Sequence, residues 1–297
     1  MFVKCGFVGW YGCICGYGEN CLQELLDNLT VLDRCFNYRE PAPVDVPWYE
    51  TVTGEVPVLV SAPHACMHLR DGEYKMPEEY TGAIALYLAQ TCGCHALVAR
   101  YKTDEDPNWQ INSEYKQQIT RMVKDHSVTV LIDLHGMTTR YHMGAAIGTL
   151  NGRSCHPPAV VEHFVNAGFN AVTADSLPAA SDRANRYIQD KVLLTSELRS
   201  SDNQSNRNWR NVVVDHPRFT GGLVSHTVTR YAAEQLGIQS VQIELASIAR
   251  VVHSLATADW PMDYRGNSEA ITSSVKALQA LVNSAGKWHV DHRLASR

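Results

Sequence analysis

The amino-acid sequence predicts an α/β protein whose central sheet is largely parallel. Short apolar runs rich in β-branched residues alternate along the chain with amphipathic segments, which is the pattern of strands joined by helical crossovers. The clearest strand covers residues 128–137, an unbroken apolar run that ends in Asp133-Leu134-His135-Gly136. A run of this kind indicates a strand buried on both faces, so we expect the remaining elements to be organised around it.

Length and composition narrow the class of protein. The 297 residues could form one large domain or two modest ones, and 45% hydrophobic with 19% charged residues is ordinary globular material. The net charge of -5 argues against a nucleic-acid surface, and no apolar run approaches the roughly 20 residues that span a membrane. Nine scattered cysteines favour reduced thiols over a disulfide framework. We therefore expect a cytoplasmic protein with neither a nucleic-acid nor a membrane partner.

The first 48 residues are predicted to be an extension that precedes the catalytic domain. Leucines at helical spacing predict a short helix over 21–35, and Pro41, Pro43 and Pro47 then form a stiff connector. The predicted domain covers residues 49–297.

Cysteines cluster at the start of this extension, at Cys5, Cys13, Cys15 and Cys21. Zinc binding and exposed thiols are both open for them, because a Cys-x-Cys without a matching second pair is a weak zinc signal. The sequence from Cys5 to Gly9 also resembles the start of amidotransferases with an N-terminal Cys nucleophile. That chemistry would require removal of Met1 to Lys4.

Each element of the domain is predicted from periodicity and from the residues at its ends. The strands are apolar runs closed by turn residues or polar side chains, and they are predicted at 56–61, 95–101, 128–137, 143–150, 169–174 and 240–245. The helices carry apolar residues three or four apart, and they are predicted at 78–88, 111–123, 157–167, 225–236 and 269–282. Residues 175–217 are polar and have a thin apolar pattern, so we expect an insert or lid there.

Chemistry-bearing residues fall at the ends of these strands. His64 follows the first strand, Asp133 and His135 close the third, and Glu244 interrupts the last. Two imidazoles and one carboxylate leave an open fourth position, which is the ligand set of a catalytic zinc. Glu244 suits the role of general base, because a Glu on a buried strand is costly unless it is used or paired. The alternative is that Glu244 pairs with an Arg such as Arg250.

Six short motifs occur in the order seen in N-formylglutamate amidohydrolase-like proteins, which belong to the wider group of zinc carboxypeptidases and aspartoacylase-type deacylases. The motifs lie within residues 55–250 and are Pro63-His64, Glu78 to Thr81, Asp106-x-Asn108, Asp133-Leu-His135, Gly221-Gly222 and Gln242-Ile-Glu244. The resemblance implies a three-layer α/β/α fold with a central mixed, mostly parallel sheet of the phosphorylase/hydrolase-like kind. It also implies one zinc ion per chain and hydrolysis of an amide bond.

The resemblance also implies roles for individual residues. His64, Glu78 and His135 would be the zinc ligands, and Glu244 would be the general base. Asp133 would hold a ligand ring in the right tautomer. Glu79 and Asp71 remain alternatives to Glu78, because Glu79 is an equally acidic neighbour and His68-x-x-Asp71 is a competing pair nearer to His64. We expect helix position to decide between Glu78 and Glu79, since the two lie about 100° apart on a helix. For His68 we expect an exposed or backbone-bonded ring.

One position departs from the family. Its Asp-x-Asn is normally followed by an Arg that grips the substrate carboxylate, whereas Trp109 follows Asn108 here. Trp cannot supply bidentate carboxylate recognition, so either another Arg reaches the site or the substrate lacks that carboxylate. The candidate replacements are Arg207, Arg210, Arg218 and Arg230. The predicted substrate-binding residues are Asp106, Asn108, Trp109, Gly221, Gly222, Arg218 and Arg230.

The sequence thus predicts a zinc-dependent amidohydrolase that acts on a small N-acyl amino acid or peptide-like amide. Three alternatives stay open: a metallo-carboxypeptidase-like peptidase, a non-catalytic binding protein with the same fold, and the N-terminal-Cys amidotransferase.

Overall fold

The computed structural model, which describes residues 19–179, 209–222, 226–254 and 264–295, is built on an eight-stranded mixed sheet. Fourteen strands are present in the described residues: β1 (Asn37–Pro41), β2 (Tyr49–Val52), β3 (Val56–Ala62), β4 (His68–Arg70), β5 (Glu73–Lys75), β6 (Cys94–Ala99), β7 (Tyr101–Lys102), β8 (Val130–Met137), β9 (Ala145–Gly148), β10 (Asn170–Ala171), β11 (Asn211–Val214), β12 (Gln239–Ala246), β13 (His253–Ser254) and β14 (Tyr264–Arg265). Six α-helices accompany them in the same ranges: α1 (Glu19–Asp33), α2 (Thr81–Cys92), α3 (Glu114–Asp125), α4 (Pro157–Asn166), α5 (Val228–Glu234) and α6 (Ser268–Ala295).

The order of the strands confirms the predicted fold class. The sheet runs β10-β11-β9-β12-β8-β3-β6-β2. Its middle strands β12, β8, β3 and β6 are parallel, whereas β9 is antiparallel to β12 and β2 is antiparallel to β6. The strand predicted from residues 128–137 is β8, and it lies between β12 and β3 as the sequence led us to expect of a strand buried on both faces.

Helices cover both faces of the sheet and form the outer two of three layers. On one face, the even-numbered apolar residues of β8, such as Ile132 and Leu134, pack with α1, α2, α4 and α6. On the other face, Leu131 packs with Tyr115 and Ile119 of α3 and with α5. Since side chains alternate along a strand, Asp133 and His135 belong to this second face.

Several boundaries differ from prediction for local reasons. The helix expected from residue 78 begins only at Thr81, because Tyr80 has the left-handed backbone conformation with φ of 67°. Asn211–Val214, within the predicted insert, forms β11 in the main sheet, since three successive valines favour a buried strand. Residues 180–208 of that insert lie outside the described residues.

The segment that precedes residue 49 takes part in the main core where it is described. Leu25, Leu26 and Leu29 of α1 are buried in the cluster that contains α2 and the sheet, and β1 pairs with β7. Cys5, Cys13 and Cys15 lie outside the described residues, and the division at residue 48 stays a prediction. Among the described helices, none has both the length and the apolar character needed to cross a bilayer.

We expect Leu29→Ala to lower the free energy of unfolding by about 2–5 kcal/mol, because it removes a fully buried side chain from the junction of α1 with the core. Urea denaturation measures this change. Val31→Ala on the same helix is the control: Val31 is 60% exposed, and its loss is expected to cost about 0.5 kcal/mol or less. Equal effects of the two substitutions would show that α1 does not belong to the cooperative core.

Candidate metal centre

The candidate centre lies where β3 and β8 end side by side. β3 ends at Ala62, two residues before His64, and His135 lies near the end of β8. Parallel pairing of these strands brings their carboxyl ends to the same edge of the sheet, which is where open α/β sheets bind ligands. Glu78 comes from the loop that leads into α2. His64, Glu78 and His135 form a group whose ligand atoms all lie within 4.8 Å of one another.

Both imidazole rings point the same nitrogen at the same carboxylate. His64 Nδ1 lies 3.2 Å from Glu78 Oε1, and His135 Nδ1 lies 3.1 Å from Glu78 Oε2. Two imidazole nitrogens and a carboxylate that converge in this way are ligand types that could hold a divalent metal ion. The donor set therefore fits the metal that the sequence predicts.

The opposite nitrogen of each ring faces an aspartate. His64 Nε2 lies 2.9 Å from Asp106 Oδ1, and His135 Nε2 lies 3.2 Å from Asp133 Oδ2. A carboxylate that accepts a hydrogen bond from Nε2–H, as Asp106 can from His64, fixes the tautomer so that Nδ1 remains available to a metal. Asp133 lies within ion-pair distance of His135 Nε2, whose hydrogen-bond partner is Asn108 Nδ2. Asp133 is the residue that the resemblance implies would hold a ligand ring, and that role stays a prediction. For Asp106, sequence reasoning predicted substrate binding and missed the contact with His64.

Glu78 is held in place by the backbone on both sides. Gly136 N donates to Glu78 Oε2 at 2.9 Å, and Glu78 N donates to the carbonyl oxygen of His64 at 2.9 Å. The two alternative ligands lie elsewhere. Glu79 accepts a hydrogen bond from Ser254, and Asp71 is in an exposed turn with φ of 53°. The helical argument for choosing between Glu78 and Glu79 was wrong, because both residues precede the first turn of α2.

The charges of the cluster stabilise one another. Burial by itself raises the pKa of Glu78, but the adjacent rings of His135 and His64 outweigh it and hold that pKa well below its usual range. Burial likewise lowers the pKa of His135, yet Asp133 and Glu78 together raise it well above 6.5. A cation in place of the ring protons would be attracted by the same carboxylates.

A second group of possible ligands consists of His64, His68 and Asp106. It fits a metal less well, because Asp106 already accepts a hydrogen bond from the Arg70 guanidinium and because His64 is shared with the first group. His68 is buried, stacks on His64 at 3.8 Å, and has Nδ1 3.3 Å from the carbonyl oxygen of Cys66. Burial and the neighbouring His64 lower the pKa of His68 to about 3, so it stays neutral.

Glu244 lies beside the cluster on the next strand. Its position on β12 is in register with His135 on β8, and its Oε1 accepts a hydrogen bond of 2.6 Å from Gln242 Nε2. Burial raises the pKa of Glu244 to about 7, and the charge on His135 opposes that rise. A carboxyl group with a pKa near neutrality can both accept and return a proton.

Arg250 does not pair with Glu244. Its guanidinium lies against the backbone of Gly136, where a Cβ atom would be 2.5 Å from Arg250 Nε, on the face of the sheet opposite His135. Nε and Nη1 of Arg250 are buried and have no hydrogen-bond partner in the described residues. Sequence reasoning missed this packing, because only the bare glycine at 136 makes room for it.

The other predicted substrate-binding residues divide into two groups. Asn108 lies at the cluster: its Oδ1 accepts a bond of 2.7 Å from Val228 N, and its Nδ2 is 3.0 Å from His135 Nε2. Trp109 is 39% exposed, and the guanidinium carbon of Arg70 lies 5.5 Å from the centre of its ring. Asn108 and Trp109 therefore lie close to Asp106 at the edge of the candidate centre.

The remaining predicted residues do not join the cluster. Gly221 lies in a turn with φ of 75°, and its carbonyl oxygen accepts a hydrogen bond from the Thr227 hydroxyl. Gly222 packs on Leu150. Arg218 is exposed above Tyr141, and Arg230 pairs with Glu234 on α5. Arg210 pairs with Glu269. Arg207 lies outside the described residues.

The sequence matches no protein-family profile and no curated protein. Three solved structures are similar to this chain at a low level. They are a bacteriophage poly-gamma-glutamate hydrolase (15% identity, TM-score 0.36, 84% of this chain and 93% of that chain), Atu2144 from Agrobacterium tumefaciens (10%, 0.40, 82% and 98%) and a provisionally assigned carboxypeptidase A from Shewanella denitrificans OS-217 (11%, 0.37, 88% and 69%). At these identities and scores they assign no activity, substrate or family to this chain.

We expect Glu244→Gln to stabilise the metal-free protein at about pH 8 and to have much less effect at about pH 5. Because the pKa of Glu244 rises from 4.5 to about 7 on folding, wild-type stability falls as pH increases between these values, whereas Gln cannot ionise. Urea denaturation of chelator-treated protein measures the difference. Glu55→Gln, at an exposed position, is the control. A Glu244→Gln effect that did not grow with pH would contradict the raised pKa.

Proposed function

We propose that this chain is a zinc-dependent amidohydrolase that cleaves a small N-acyl amino acid or peptide-like amide. The observation that carries the proposal is the convergence of His64 Nδ1 and His135 Nδ1 on the Glu78 carboxylate, while an aspartate faces the other nitrogen of each ring. A purely structural ion would favour four protein ligands, whereas three protein ligands beside a buried Glu favour catalysis.

His64, Glu78 and His135 would hold the zinc ion. When bound, zinc supplies Lewis-acid chemistry: it polarises a carbonyl group and makes water a stronger acid. Asp106 and Asp133 hold the two rings, so that the ligand nitrogens are oriented before substrate arrives.

Glu244 would move the proton. Its Oε1 is occupied by Gln242, so we assign proton transfer to Oε2, which takes a proton from the attacking water and returns it to the leaving nitrogen. The carboxyl pKa near 7 supports both halves of this exchange at neutral pH.

Metal content and turnover test this proposal together. Protein purified without added metal is expected to contain about one zinc ion per chain, and His135→Ala is expected to lose it. Glu244→Gln should keep the metal and lose turnover of N-acyl amino acids by about a hundredfold or more. Zinc without turnover in the wild type would favour the binding protein. If the protein binds no zinc even when zinc is added, the proposed metal centre is wrong.

Arg70 is the residue that we assign to the substrate's carboxylate. Its Nε is occupied by Asp106, but its Nη atoms have no hydrogen-bond partner among the described residues, and 30% of the side chain is exposed. Trp109 supports the guanidinium plane from one side. Arg70, at the end of β4, would thus take the role of the Arg that follows the Asp-x-Asn motif in the family.

We expect Arg70→Met to lower kcat/KM about 10–100-fold more for a substrate with a free carboxylate than for its carboxamide, because a hydrogen bond to a charged group is lost. The ratio of the two values is the measurement, since any general damage through Asp106 affects both substrates. Arg121→Gln, at an exposed position on α3, is the control. An unchanged ratio in Arg70→Met would overturn the assignment.

A further inference from the structure

Lys116 on α3 is a buried cation that the proposed chemistry does not use. The residue is only 2% exposed, and no carboxylate of the described residues lies within ion-pair distance of its ammonium group. Instead, Nζ donates to the carbonyl oxygen of Gln110 at 2.6 Å and to that of His226, and it lies 5.7 Å from the centre of the Tyr231 ring. Burying an ammonium group is costly, so these two carbonyl contacts call for an explanation.

The first carbonyl belongs to the turn that carries two contacts of the metal centre. Trp109 N and Gln110 N both donate to the carbonyl oxygen of Asp106 at 2.9 Å, which closes residues 106–110 into one tight unit. Within that unit, Asp106 bonds His64 and Asn108 lies against His135. Gln110 thus belongs to the segment that contacts both the His64 and the His135 rings.

The second carbonyl belongs to the turn that begins α5. His226 precedes Thr227, whose side chain caps the helix, and Val228 N donates to Asn108 Oδ1 at 2.7 Å. One residue later, Thr229 Oγ1 donates to Asp133 Oδ2 at 3.0 Å, and this carboxylate oxygen faces His135. The turn at 226–229 thus reaches His135 through Asn108 and through Asp133.

We propose that Lys116 is a positioning residue of the metal centre. Its ammonium group joins the turn at 106–110 to the turn at 226–229, and this link sets the orientation of the His64 and His135 rings through Asp106, Asn108 and Asp133. The inference rests on the metal centre of the proposed function but not on an amide substrate. Three donors on one compact, flexible head suit two carbonyl oxygens that approach from different segments, whereas the planar fork of Arg does not.

Zinc affinity of the chelator-treated protein, measured by competition with a chromophoric chelator, tests the proposal. Lys116→Met keeps the length and the apolar stem but removes every donor, and we expect it to weaken zinc binding about 10–100-fold. The visible absorption of the cobalt-substituted protein should also change, because that spectrum reports ligand geometry. Lys124→Met, exposed on the same helix, should change neither measurement.

A general loss of stability must be separated from loss of positioning. Leu278→Ala removes a fully buried side chain of α6 on the other face of the sheet, and it serves as the destabilised reference. Lys116→Met is expected to weaken zinc binding far more than Leu278→Ala does. Equal zinc affinities in these two variants would overturn the proposal. If Lys116→Met does not fold, the zinc affinity of Lys116→Gln is compared with that of Leu278→Ala instead.

A double-mutant cycle tests the route through Asn108. If Lys116 acts through this amide, the variant with both Lys116→Met and Asn108→Ala should bind zinc no more weakly than the weaker single variant. Additive losses would contradict that route. If the wild-type protein binds no zinc, both the metal centre and this inference are wrong. If Lys116→Met binds zinc as tightly as the wild-type protein does, only this inference is wrong.

Discussion

The register between three parallel strands is the constraint on which the candidate centre depends. Ser61 on β3 is level with Asp133 on β8, and His135 on β8 is level with Glu244 on β12. Because side chains alternate along a strand, a slip of one residue between β8 and β12 would carry Glu244 to the opposite face from His135. The apolar residues between these positions, such as Leu134 and Ile243, are fully buried on that opposite face and make the slip costly.

Buried charge at this edge of the sheet is compensated by contacts from many separate segments. Asp106 accepts bonds from Arg70 on β4 and from Asn108 N, and Asp133 accepts a bond from Thr229 on α5. Each carboxylate thus faces a histidine on one side and neutral or cationic donors on the other. Such an arrangement is costly to assemble in the absence of a ligand, and once it is assembled the hydrogen bonds hold its side chains in a fixed geometry.

The sequence could predict those parts of the site that lie on regular elements. His64, Asp133, His135 and Glu244 follow from apolar strands with known period and direction, and the parallel sheet brings them together. Glu78 could be predicted only through the family resemblance, because it lies in a loop with no regular periodicity. This loop includes Tyr80, which has a left-handed backbone conformation. The helical spacing that was used to choose between Glu78 and Glu79 does not exist in the structure.

The parts that sequence reasoning missed are contacts between distant segments. Arg70 meets Asp106 across 36 residues, and Lys116 meets His226 across 110 residues. Neither pair leaves a local pattern, since a surface-like Arg and a Lys in an amphipathic helix both have ordinary solvated alternatives. The boundaries of the six predicted strands lie within a few residues of those observed, whereas two further strands of the main sheet were missed. These are the edge strand β2 and β11, whose three valines follow a long polar stretch.

The contact between Arg250 and Gly136 limits how this protein can be redesigned. The space beside Gly136 that would admit a side chain is filled by the guanidinium of Arg250, and the two positions are 114 residues apart in sequence. A side chain at position 136 would therefore require the Arg250 guanidinium, the far end of a flexible side chain, to shift. A library at the end of β8 should vary positions 136 and 250 together, because the size of each side chain limits the size of the other.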